Sequence, residues 1–232
     1  LERKGTQGVL LTTRGFEDLL RIRDQRRPDL FELQQQLPEP VFEKVIGLEE
    51  RISAEGEILT PLDEEEVTTL VEGLREEGIE VVAVALLNSY ANPVHEERLG
   101  QRLRAAGLQF VSLSTELTRA VRLLGRAETA AANAYLAPVM DRFVGGVHDS
   151  LGAGPLELMT SAGYLKTAAD YRPVDSLLSG PAGGVVGALA AARAAGCARV
   201  LAFDMGGTST DVARLEGAPS YRYEQAIGPV RV

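Results

Sequence analysis

The residues best suited to chemistry are concentrated between Asp204 and Asp211, where two acids flank Gly206-Gly207-Thr208-Ser209-Thr210. An apolar run, Val200 to Phe203, precedes Asp204 and reads as a buried strand that delivers the carboxylate to its carboxyl end. Glycines can take φ > 0 and leave their backbone N–H groups uncovered. Successive uncovered N–H groups make a concavity that suits phosphate oxygens. The three hydroxyls add donors on the same loop, and Asp204 and Asp211 offer the hard oxygens that Mg²⁺ or its bound waters prefer. A plain β-hairpin would also use Gly-Gly between two apolar runs, but it has no need of two acids and three hydroxyls. No Gly-x-x-x-x-Gly-Lys-[Ser/Thr] string occurs, so a nucleotide would not be held by a Walker A loop.

Such a loop needs a frame, and the flanking sequence supplies candidates for it. Thr210 to Leu215 reads as the returning strand. Upstream, Pro181 to Ala195 reads as a helix with Ser179 as its cap, Pro181 near its first position and Gly196 at its end. Its glycines and alanines permit close approach of a neighbour, and a free helix N-terminus attracts anions. Gly180, Gly183 and Gly184 are therefore second-tier ligand candidates, with a close-packed core helix as the alternative reading. Leu156 to Thr160 reads as a strand and Ser176 to Ser179 as another short one. Arg126 to about Val147 is an Ala-rich helical pattern with Pro138 inside it, which predicts a kink or break near Ala137.

In the first half, the uninterrupted apolar run Val81 to Leu87 has the character of a strand buried on both faces. Asn92-Pro93 opens a helix that runs to Ala106 and stops at Gly107, and Phe110 to Leu113 is the next strand, which makes one parallel crossover unit. Before it, Gly8 to Thr13 reads as a strand and Phe16 to Arg23 as a turn or two of helix. Phe42 to Ile46 and Glu49 to Ser53 alternate apolar with charged residues and read as an antiparallel pair. Asp63 is placed to cap a helix that Gly78 ends. The expected fold class is α/β. The expected division is an α+β portion over residues 1–78, part of an incomplete domain, and an α/β portion over residues 79–232.

Composition narrows the function classes. The 232 residues are 45% hydrophobic and 25% charged, ordinary for a globular chain. Lys plus Arg is 24 against Asp plus Glu 33, a net charge of −9, which disfavours nucleic acid and anionic membrane as partners. The single cysteine, Cys197, excludes an intrachain disulfide and suits a reducing, cytoplasmic compartment. Cys197 reads as a small buried residue, His95 as a solvated surface histidine, and the His148–Asp149 pair as weak evidence of a site. The acidic run Asp63 to Glu66 reads as a solvated helix start, and Arg26, Arg27 and Asp29 as a charged turn that could face a substrate.

Three strings carry a family resemblance: TTRGFEDLL followed by RPDLFEL from Thr12 to Leu33, SLLSGPAGGVVGA from Ser176, and LAFDMGGTSTDVARL from Leu201. The helix, strand and Asp-x-Gly-Gly-Thr-x-Thr-Asp hairpin resemble the second phosphate motif of the actin, sugar-kinase and heat-shock-chaperone ATPases. More narrowly, the strings resemble the hydantoinase A/5-oxoprolinase family. The resemblance implies a ribonuclease-H-like, actin-like ATPase mixed sheet with flanking helices, preceded by a smaller α+β portion. It implies ATP and Mg²⁺ as cofactors, a small cyclic amide such as a hydantoin or 5-oxoproline as substrate, and a second, B-type subunit or domain as partner. Asp204 and Asp211 would then hold the metal or orient the nucleophile, and Gly206, Gly207, Thr208, Ser209 and Thr210 would cradle the phosphates. ATP-dependent carboxylation of ketones is the alternative within the family, and a non-catalytic actin-like or chaperone-like nucleotide module is the alternative outside enzymes. Family members carry an earlier phosphate loop and a later glycine-rich segment, so this chain is expected to be a central piece with half of an ATP site. Where the family pattern has Ser-Asn-Gly-Gly, this chain reads Ser161-Ala-Gly-Tyr164, and no site role is carried to that turn.

Overall fold

The computed structural model describes residues 5–25, 31–34, 39–152, 154–207, 210–216, 225–227 and 230–231. In chain order the elements are β1 (Val9–Thr13), α1 (Leu19–Ile22), β2 (Lys44–Leu48), β3 (Arg51–Ile52), β4 (Ile58–Thr60), α2 (Glu64–Glu76), β5 (Val81–Ala85), α3 (Val94–Ala105), β6 (Phe110–Leu113), α4 (Ser114–Leu117) and α5 (Leu123–Leu151). There follow β7 (Glu157–Met159), β8 (Leu165–Thr167), a 3₁₀ turn (Pro173–Ser176), α6 (Ser179–Ala194), β9 (Arg199–Met205) and β10 (Thr210–Glu216). The chain forms two compact units, Leu1–Val139 with Glu224–Val232, and Met140–Tyr223.

The first unit is built on a four-stranded parallel sheet in the order β2-β1-β5-β6. Every residue of β1 and β5 is buried, as a central strand covered on both faces requires. The period of two sorts the side chains: Val9, Leu11, Val82 and Val84 join Val67 and Leu74 of α2 and Leu99 and Leu103 of α3. Leu10, Val81, Ala83 and Ala85 turn the other way, onto Phe42 and the alanine face of α5 at Ala127, Ala130, Ala131 and Ala134.

Local signals act as their chemistry dictates. The Asp63 carboxylate accepts from the backbone N–H groups of Glu65 at 2.8 Å and Glu66 at 3.3 Å, capping α2. Asp63→Ala is expected to cost about 1 kcal/mol, read as a lower urea midpoint at unchanged slope. Gly78 and Gly107 take φ of +68° and +90° where α2 and α3 end.

A polar network closes the carboxyl edge of the sheet. The Arg126 guanidinium is fully buried and donates through Nη1 to Ser89 and Ser114 Oγ, each at 2.6 Å, and through Nη2 to Leu86 O at 2.8 Å. Glu96 Oε1 lies 3.4 Å from Arg126 Nη1 and accepts from Leu86 N, Ser89 Oγ and Ser114 Oγ, while Oε2 accepts from Thr115 N and Oγ1. Burial pushes the Arg126 guanidinium below its ordinary value, and the Glu96 charge opposes that shift. Beside it, Glu50 bonds Thr13 Oγ1 and, at 2.7 Å, His95 Nδ1.

Several expectations are corrected. The segments around Phe42 and Glu49 do not pair with each other: β2 is the parallel edge partner of β1, and β3 turns through Gly56, at φ +90°, to pair with β4. Alternation reports a half-buried strand but not its partner. The division is not at 78/79, because β1 and β2 share one sheet with β5 and β6. Helix α5 runs unbroken through Pro138, which removes one backbone donor from a helix whose alanine face is anchored in the core. Ser176 to Ser179 is not a strand but the junction of the 3₁₀ turn and α6.

Candidate nucleotide site

The second unit places the predicted site. β9 and β10 are antiparallel neighbours, with Met205 opposite Thr210 and Asp204 directly opposite Asp211. Directly opposed residues project to the same face with Cβ atoms roughly 5 Å apart. Both acids are exposed, and neither makes an ion pair among the described residues. Two carboxylates facing each other repel, a cost that a bound cation would remove. No group of three or more His, Cys, Asp or Glu gathers there among the described residues. The donor set therefore fits a hard cation held by two protein carboxylates and completed by water or phosphate, not an all-protein cage.

Val200, Ala202, Asp204, Asp211, Ala213 and Leu215 share the face that meets α6, by the pairing register. Asp204 Oδ2 would lie 3.7 Å from a Cβ on Gly184, so the carboxylate stands against the N-terminal half of α6. Gly183 meets Met159 Cγ of β7 at 3.6 Å in the same sense. The small-residue face thus lets both hairpins approach one helix within a turn. Gly180 lies in the first turn with nothing near it. Leu201, Phe203, Met205 and Val212, on the other face of the hairpin, are exposed.

Gly206 and Gly207 follow β9 in the exposed turn. Gly207 has open space around it and does not take a positive φ, so its contribution is an uncovered backbone and not a left-handed conformation. Thr210 begins β10 and is exposed. Thr208 and Ser209 lie outside the described residues, as do Arg26, Arg27 and Asp29.

The cap of α6 differs from expectation. The helix starts at Ser179 itself, with Leu178 before it and no side-chain cap; Ser179 Oγ donates to Ser176 O at 3.1 Å. Cys197 is exposed, not buried, because it sits past the helix end after Gly196. His95 is buried against Glu50, not solvated, because its turn of α3 faces the end of the sheet. His148 and Asp149 remain exposed.

Residues that sequence reasoning passed over surround the start of α6. Asp175 Oδ2 accepts from Lys166 Nζ at 2.7 Å, and Asp175 O accepts from Ser161 N at 2.7 Å and Oγ at 2.6 Å. Tyr171 OH donates to Met159 O at 3.0 Å, and burial pushes its phenol above the ordinary value against an opposing hydrogen bond with Ser179. No spacing rule announces these pairs, since they join a hairpin to a strap nine or more residues away.

Residues 1–107 match the hydantoinase/oxoprolinase N-terminal region and residues 126–232 match hydantoinase/oxoprolinase. The chain belongs to the hydantoinase/oxoprolinase family. Among curated members it is 38% identical over 251 residues to 5-oxoprolinase 1 of Arabidopsis thaliana, covering 98% of this chain and 20% of that one. Among solved structures it resembles nucleotide-free acetone carboxylase at a TM-score of 0.83 and 22% identity, covering all of this chain and 35% of that one. It also resembles the ATP-dependent caprolactamase from Pseudomonas jessenii at a TM-score of 0.75 and 30% identity, covering 90% and 32%. The mixed α/β fold with a parallel sheet is the fold of this hydantoinase-like group. The chain spans about a fifth of the curated relative's length and about a third of the solved chains. Among the described residues no helix is long and apolar enough to cross a membrane.

Proposed function

We propose that the β9–β10 hairpin and the N-terminal half of α6 form one wall of a Mg²⁺-ATP site in a protein that opens a cyclic amide of the 5-oxoproline or hydantoin type. The observation that carries this reading is the direct cross-strand pairing of Asp204 with Asp211 beside an open glycine turn. The family supports it, as do the names of the Arabidopsis 5-oxoprolinase and the Pseudomonas caprolactamase, both cyclic amide hydrolases.

In this reading the N–H groups of Gly206 and Gly207 and the hydroxyls of Thr208, Ser209 and Thr210 hold phosphate oxygens, and Asp204 and Asp211 hold the cation. Mg²⁺, when bound, offsets the charge on the transferring phosphoryl group. An unstrained five-membered amide resists hydrolysis, so coupling to phosphoryl transfer activates its carbonyl. Gly183 and Gly184 serve by smallness, not by ligation, in holding both hairpins against α6. A cytoplasmic setting and a second, B-type subunit or domain belong to the same proposal.

The test is phosphate release by the intact protein with Mg²⁺-ATP across a panel of 5-oxoproline, hydantoin, caprolactam and acetone with bicarbonate. Stimulation of at least tenfold by a cyclic amide is expected. Stimulation by the ketone with bicarbonate alone, or by no member of the panel, overturns the assignment.

A further inference from the structure

We infer that Lys166 and Asp175 form a positioning clamp that sets the first turns of α6, and through them the Asp204 carboxylate, for the nucleotide. The inference rests on the nucleotide-site reading above for its functional readout.

Lys166 lies in β8 and Asp175 in the 3₁₀ turn immediately ahead of α6. Their side chains are only 21% and 22% exposed, so the 2.7 Å ion pair is shielded from much of the screening that weakens surface pairs. Asp175 Oδ2 also accepts from Arg172 N at 3.2 Å, which fixes the carboxylate within its own turn. The carbonyl of the same residue takes both donors of Ser161, from the β7–β8 turn. Asp175 is therefore bonded at both ends of the residue to one hairpin. Tyr171 OH, reaching Met159 O, adds a second tether between strap and hairpin.

The strap so held is the entry to α6, which lacks a side-chain cap of its own. Without a side-chain cap, the local start signal is Pro181, whose fixed φ and missing N–H suit the first turn. The clamp adds a tether from outside the helix. Its consequence reaches the site through two glycines. A methyl group added to Gly184, five residues into α6, would stand 3.7 Å from Asp204 Oδ2, and Gly183 packs on Met159 of the clamped hairpin. A rotation of α6 that brought Val185 to the place of Gly184 would set a branched side chain against the carboxylate.

The experiment compares Lys166→Asp, Asp175→Lys and the charge-swapped double variant with the wild type. Two quantities are read: amide hydrogen exchange at Ala182, Gly183 and Gly184 in this chain, and KM for Mg²⁺-ATP against kcat in the intact protein. Each single variant is expected to speed exchange in the first turns of α6 at least tenfold and raise KM at least fivefold with kcat within threefold. The swap should recover part of both, because a lysine at 175 restores the charge pair but cannot accept from Arg172 N. Unchanged exchange in both single variants overturns the clamp, as does a double variant no better than the singles. If exchange follows this pattern while the wild type shows no ATP turnover, the clamp on α6 stands and the nucleotide reading falls.

Discussion

Replacing Asp204 with Asn is expected to lower ATP turnover by the intact protein at least tenfold while raising the thermal midpoint of this chain. The two effects have opposite signs for one physical reason. Asp204 and Asp211 are cross-strand neighbours, exposed, and without an ion-pair partner among the described residues. In the absence of a cation their repulsion destabilises the hairpin, so neutralising one of them relieves it. In the proposed Mg²⁺-ATP site the same charge would attract the metal, and each tenfold loss of turnover corresponds to about 1.4 kcal/mol of lost transition-state stabilisation. Asp211→Asn should behave alike in the melt. A fall in the midpoint with turnover intact would show an ordinary structural aspartate, and a rise in both would place the metal elsewhere.

How much of this could be read from the sequence follows the range of each interaction. The hairpin was legible because its determinants are contiguous: an apolar strand, an acid, a glycine turn, hydroxyls and an acid on the return strand. The register that sets Asp204 against Asp211 follows from the same short segment. β5, α2, α3 and β6 were legible for like reasons, through the all-apolar run from Val81, the Asp63 cap and the stop at Gly107. What escaped is non-local. Alternation in residues 42–53 shows half-buried strands, but β2 finds its partner in β1, more than thirty residues earlier. His95 looked solvated beside Glu96 and Glu97, yet its partner, Glu50, is 45 positions away. Asp175 and Lys166 carry no motif at all, and only the folding of the β7–β8 hairpin brings them together. Pro138 does not break α5, because the burial of the alanine face outweighs one missing hydrogen bond.

The largest stability effect is expected at the buried pair of Arg126 and Glu96, and the order of the losses is the informative part. Both side chains are fully buried, so deleting either leaves the other uncompensated, at a cost of about 3–5 kcal/mol. The two deletions are not equivalent. Arg126→Leu leaves Glu96 with the donors of Leu86 N, Ser89 Oγ, Ser114 Oγ and Thr115, dipoles that still solvate the carboxylate. Glu96→Leu strands a buried backbone donor, Leu86 N, and a half-buried one, Thr115 N, together with a buried guanidinium whose Nε already has no partner. It also removes the largest of the interactions that oppose the depression of Arg126 by burial. Each orphaned buried donor adds about 1–3 kcal/mol. Glu96→Leu is therefore expected to destabilise the first unit more than Arg126→Leu, with Glu96→Gln milder than Glu96→Leu because it keeps the acceptor of one backbone donor. Hydrogen exchange at Val82 to Val84, in the centre of the parallel sheet, reads the first unit alone as urea is raised. If Glu96→Leu does not fold, Glu96→Gln against Arg126→Leu carries the comparison with the wild type. Losses under about 1 kcal/mol for both of those variants, or Glu96→Leu milder than Arg126→Leu, would show that the network at the carboxyl edge of the sheet does not hold α3, α4 and α5 in place.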